Sequence, residues 1–154
     1  MIVWLASYPK SGNTWMWLFI KSYFNPPKKK FSLNYHKDDP VMLKPFPDEG
    51  MFDELKINYE SFFDLSKNRI NLQSLINLNN KTNYLKTHNA MCTINNNKFT
   101  NINNTLGAIY VVRDPRDVLV SYSNYMDKSI HETIEILFSD DTYEYGNFKD
   151  KGYR

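Results

Sequence analysis

Three groups of residues in this chain have types and spacings that can do chemistry. The first is the run Ser7-Tyr8-Pro9-Lys10-Ser11-Gly12-Asn13-Thr14-Trp15. It follows an apolar segment, Ile2 to Ala6, and leads into another, Trp15 to Phe24, so it reads as the loop of a strand–loop–helix unit. Backbone N–H groups at a helix N-terminus bind anions, and a glycine lets a phosphate approach the main chain closely. A lysine adds a point charge that can follow negative charge developing on a phosphate oxygen. Lys10, Ser11, Gly12, Asn13 and Thr14 are therefore candidates for an anion-binding loop.

The second group is Tyr110 to Tyr122, with Arg113 where an apolar strand passes into a helix and Ser121 eight positions later. The planar fork of an arginine suits a terminal phosphate, and a serine two turns along the helix can donate a hydroxyl to the same group. The third is Tyr84-Leu85-Lys86-Thr87-His88. Side chains alternate along a strand, so Lys86 and His88 share a face. A cation beside a histidine lowers its pKa and favours the neutral imidazole that a general base requires. His36 and His131 have no comparable context and read as structural or exposed.

Residue order decides which phosphate loop the first group is. A triphosphatase loop reads G-x-x-x-x-G-K-[ST], with its lysine after the glycine. Here Lys10 precedes Gly12. The run resembles instead the 5′-phosphosulfate loop of sulfotransferases that use 3′-phosphoadenosine 5′-phosphosulfate (PAPS), close to Y-P-K-S-G-[ST]-T-W, with Asn13 as the one departure. Arg113 and Ser121 have the spacing of that family's 3′-phosphate motif. Lys86-Thr87-His88 resembles its K-T-H segment, whose histidine takes the proton from the acceptor hydroxyl.

The resemblance implies an enzyme that transfers a sulfuryl group from PAPS to a hydroxyl or amine acceptor and releases 3′-phosphoadenosine 5′-phosphate. In that reading Lys10, Lys86 and His88 are catalytic. Lys10, Ser11, Gly12, Asn13, Thr14, Trp15, Arg113 and Ser121 bind the nucleotide, with Trp15 divided between stacking on the adenine and core packing. No metal is expected. Carbohydrate, lipid and small phenol all remain open as acceptors. A later basic, glycine-containing segment of the family is not found, and family members are longer. The chain is therefore expected to be an N-terminal portion of such a domain. Two rival readings are a P-loop kinase or triphosphatase, and a truncated nucleotide-binding module without catalysis.

The elements that must position these residues are legible in outline. The alternation of apolar strands with helices predicts an α/β domain, with a parallel sheet flanked by helices in the P-loop manner, as one domain over 1–154. Ligands bind at the carboxyl ends of such strands, where all three groups fall. Expected strands cover 2–7, 83–88 and 106–112. A helix over 14–24 reads as mostly buried because it is apolar nearly all round. Helical spacing recurs over 52–65, 72–78 and 129–138. Asp114-Pro115 reads as the N-cap and first position of another helix. Residues 31–50 read as irregular loop, 92–101 as a hairpin or turn around Asn95-Asn96-Asn97, and 140–154 as a polar, aromatic tail.

Bulk composition sets limits on partners. A formal net charge of +2 is too mild to argue for nucleic acid or an anionic membrane surface, so anion binding must be local. Lys28-Lys29-Lys30 reads as a solvated loop. The single cysteine, Cys92, excludes an intramolecular disulfide and fits a reducing compartment. No apolar run has the length of a membrane span, and the N-terminus enters the first strand without a signal-peptide pattern. The cytoplasm is the expected location.

Overall fold

A computed structural model describes residues 1–24, 45–47, 49–54, 56 and 62–138. Its elements are β1 (Ile2–Ser7), α1 (Asn13–Phe24), α2 (Glu49–Glu54), α3 (Phe62–Asn77), β2 (Asn83–Thr87), β3 (Thr93–Ile94), β4 (Asn97–Lys98), β5 (Thr105–Val111), α4 (Pro115–Met126) and α5 (Ile130–Phe138). Strands β2, β1 and β5 form a parallel sheet in that order. The first strand in sequence is therefore central, and the loops leaving all three strands open at one edge of the sheet. The fold is α/β, as the alternation predicts.

The core lies on one face of β1 and β2. Trp4 is the hub: its ring centre is 5.1 Å from Phe46 and 4.9 Å from Phe99, and its indole N–H donates to Thr105 Oγ1 at 2.9 Å. Ile2, Met51, Phe52, Leu65, Leu72 and Leu85 complete this cluster. Each such side chain taken out of water contributes about 1.5–3 kcal/mol. The backbone of Phe46 extends the edge of β2, donating its N–H to Lys86 O at 2.7 Å, and its carbonyl accepts from Thr87 Oγ1 at 3.1 Å.

Two sequence expectations need correction. The helical spacing over 52–65 and 72–78 resolves into α2 and one continuous helix, α3, across 62–77. Apolar periodicity fades between 66 and 71 because the inward positions there are polar: Ser66 and Arg69 are both buried. The buried Gln73 that follows is satisfied, donating to Phe99 O at 2.7 Å and accepting from Thr100 Oγ1 at 2.6 Å. Second, α1 is not mostly buried. Leu18 and Ile20 are buried, but Trp15, Phe19, Tyr23 and Phe24 are each more than 60 % exposed. The helix covers the sheet with one side only, and its other side meets no described residue that would bury it.

The remaining elements follow their local chemistry. Asn95 and Asn96 both have positive φ, as a two-residue hairpin turn between β3 and β4 requires, and asparagine tolerates that conformation. Asp114 caps α4 by accepting from Arg116 N, with Pro115 at the first helical position. Ser129 and Glu132 form a reciprocal capping box at the start of α5. The basic run 28–30, His36, most of the expected loop 31–50 and the tail 140–154 lie outside the described residues. His131 is exposed and lies 3.4 Å from Glu135.

Candidate active site

The loop between β1 and α1 is a tight turn with two left-handed residues. Lys10 has φ 64° and Gly12 φ 106°, while Ser11 N donates to Tyr8 O at 3.2 Å. Met16 N bonds Gly12 O at 3.1 Å, which starts the helix at Asn13. The first N–H groups of an α-helix have no intrahelical acceptor, so those after Gly12 face the loop as anion donors.

Two residues from distant parts of the chain grip this loop. His88, just past β2, has its Nδ1 2.7 Å from Ser7 O and 3.3 Å from Ser7 Oγ. A carbonyl oxygen only accepts, so Nδ1 carries the proton and Nε2 carries the lone pair. Arg113, just past β5, donates from Nη1 to Lys10 O at 3.1 Å. Its Nε is 3.8 Å from Asp117 Oδ2, a solvent-exposed pair of little weight.

The cluster gathers positive charge beside the loop. Lys86 is half-buried, and its pKa is lowered, first by burial and then by the nearby charge of Lys10. His88 is also half-buried. Burial pushes its pKa below the ordinary histidine value, Lys86 pushes the same way, and the bond to Ser7 opposes both. Burial thus outweighs the neighbouring lysine that the sequence suggested as the cause. Cations placed this close are mutually unfavourable until an anion joins them. Lys10, Lys86, Arg113 and the start of α1 therefore fit a ligand carrying several phosphate or sulfate oxygens.

The other sequence candidates are placed less directly. Ser11 is buried within the turn, while Thr14 is exposed on the first turn of α1. Asn13 is 3 % exposed and its side chain turns inward to Leu5 O and Ser7 Oγ, so only its backbone remains with the loop. Trp15 is 63 % exposed, which removes the core-packing alternative. Ser121 is half-buried two turns into α4. Two contacting residues were given no role by sequence, although Ser7 heads the first run. Ser7 ends β1 under the His88 ring, and the ring of Tyr125 lies 4.2 Å from Lys10 Nζ. The only trace of Tyr125 in the sequence is its place one helical turn after Ser121.

A family model described as the sulfotransferase domain matches residues 2–151. The chain belongs to this family. Comparison with curated proteins and with solved structures gave no match. Family and sheet agree: the parallel three-stranded sheet flanked by helices is the P-loop-like arrangement of a sulfotransferase domain. Among the described residues, no helix is long and apolar enough to cross a membrane, and no group of His, Cys, Asp or Glu is placed to hold a metal ion.

Proposed function

We propose that this chain is a sulfotransferase-like domain, or the N-terminal portion of one, that transfers a sulfuryl group from PAPS to a hydroxyl or amine acceptor. The observation that carries the reading is the grip on one loop from two sides: His88 on Ser7 and Arg113 on Lys10. It supports taking His88 as the base, Lys10 as the electrostatic catalyst and Arg113 as the 3′-phosphate ligand.

PAPS supplies an activated sulfuryl group on a 5′-phosphate leaving group. The chain's residues then have distinct tasks. Lys10 and the N–H groups at the start of α1 stabilise charge that grows on the leaving oxygen, an effect realised mainly in the transition state. His88, neutral and with its lone pair on Nε2, takes the acceptor's proton. Lys86 balances charge on sulfonate oxygens. Arg113 and Ser121 hold the 3′-phosphate, and Trp15 offers a ring for the adenine. The acceptor is a carbohydrate, lipid or small phenol.

Calorimetry on the purified chain tests the donor assignment. 3′-Phosphoadenosine 5′-phosphate is expected to bind much more tightly than AMP, because only its 3′-phosphate adds an anionic partner for the guanidinium of Arg113, which otherwise keeps Lys10 O and a loose, exposed Asp117. Equal affinities for the two nucleotides sink the reading.

A further inference from the structure

The amide of Asn13 is spent on the end of β1. Nδ2 donates to Leu5 O at 2.8 Å and to Ser7 Oγ at 3.1 Å. Oδ1 is buried and has no hydrogen-bond partner among the described residues. Turning the amide over would set Oδ1 against the Leu5 carbonyl, two acceptors face to face. A buried acceptor without a partner costs stability, so packing alone does not account for an amide at this place. What distinguishes it is that both hydrogens of one NH₂ group are used, and that one of them ends on Ser7.

We propose that Asn13 is a positioning residue for His88: by donating to Ser7 Oγ, it keeps the Ser7 carbonyl as the acceptor for Nδ1–H and so keeps the lone pair on Nε2. The proposal rests on the reading of His88 as the base. The two oxygens of Ser7 compete for Nδ1, with the carbonyl at 2.7 Å and the hydroxyl at 3.3 Å. The carbonyl can only accept. The hydroxyl can also donate, and a hydroxyl donating to Nδ1 would move the ring proton to Nε2 and abolish the base. Accepting from Asn13 leaves the hydroxyl its own hydrogen; what the bond fixes is the position of Oγ, held at the longer distance from Nδ1. The Asn13 amide serves both Leu5 O and Ser7 Oγ, whereas a hydroxyl side chain at position 13 has one hydrogen for the two. Three cations near the ring among the described residues do not make this choice. Lys86 acts on it from its own strand, Lys10 acts on Lys86 from the loop, and Arg69 of α3 donates to the neighbouring Asn89. All three are cations and none can accept a proton from Nδ1.

Imidazole ¹⁵N NMR on the full chain, above the pH range in which histidine is protonated, tests the proposal without any assay of turnover. The wild-type His88 ring is expected in the Nδ1–H form. In Asn13→Ala and Asn13→Thr the Nε2–H form should rise several-fold, with far-UV circular dichroism unchanged. Adding Ser7→Ala to either variant should restore Nδ1–H, because the competing donor is then gone. Asn13→Thr, which can still serve Leu5 O, carries the comparison if Asn13→Ala does not fold. A wild-type ring in the Nε2–H form, or an unchanged Nδ1–H form in the folded variants, overturns the proposal. If the tautomer shifts as expected while His88→Gln still turns over at the wild-type rate, the base assignment fails and the Asn13 role in setting the ring stands.

Discussion

The ammonium of Lys10 lies 4.2 Å from the centre of the Tyr125 ring, joining the loop after β1 to the last turn of α4. The negative face of the ring offsets part of the repulsion between Lys10 and Lys86. Tyr125 is 66 % exposed, and a cation over an exposed ring gains about 0.5–1 kcal/mol. Tyr125→Leu should therefore lower turnover about two- to fivefold, while Tyr125→Phe keeps it. Lys10→Ala should cost on the order of a hundredfold in kcat and less in nucleotide affinity. Steady-state kinetics beside calorimetry separates the two effects. A loss confined to affinity would make Lys10 a binding residue only.

Arg113 has a partner in Lys10 O and a loose one in Asp117, so its removal leaves the loop one tether short. Arg113→Ala should erase most of the preference for 3′-phosphoadenosine 5′-phosphate over AMP, about 1.5–3 kcal/mol for a charged hydrogen bond. Titration of both nucleotides into the variant is the check. A preference that survives would place the 3′-phosphate elsewhere.

The pH dependence follows from the lowered pKa of His88, set first by burial. A base must be neutral, so turnover should rise with pH and level off below the ordinary histidine value of about 6.5. Folding is linked in the same direction. The unfolded chain binds a proton at His88 more readily than the folded one, so this contribution to stability is present above about pH 6.5 and is lost as pH falls through the folded pKa. His88→Gln should flatten both profiles and lower turnover about 10²–10⁴-fold, with nucleotide affinity nearly intact. Turnover that still climbs through the same range in His88→Gln would assign the titration to another group.

Leu72 is fully buried in the cluster around Trp4. Leu72→Ala should destabilise the fold by about 2–5 kcal/mol in urea denaturation, through lost burial and the cavity left behind. A cost below about 1 kcal/mol would mean that α3 does not anchor the sheet as described.

Much of the candidate site is legible in sequence because its parts sit at the ends of short strands, two of them strongly apolar. The strand expected over 83–88 is seen at Asn83–Thr87, and the one over 106–112 at Thr105–Val111. The cap at Asp114 was readable from the Asp-Pro pair. The polar stretch Ser66 to Asn71 hid the continuity of α3, because a buried arginine and serine carry no apolar period. The exposed side of α1 was equally hidden: an all-apolar helix does not say which side meets the sheet. Ser7 and Tyr125 were assigned no role for another reason. Their roles arise from contacts across 81 and 115 positions of chain, which no local pattern encodes.

The backbone of Lys10 has a further consequence. A lysine at φ 64° sits where glycine is most at ease, and the rest of the fold holds it there. Exchanging Lys10 for glycine would ease the turn while removing the charge that the proposed chemistry needs. Thermal robustness and reaction rate are thus set against each other at a single position. A screen of this protein for heat resistance alone would drift toward a sturdier, inactive loop.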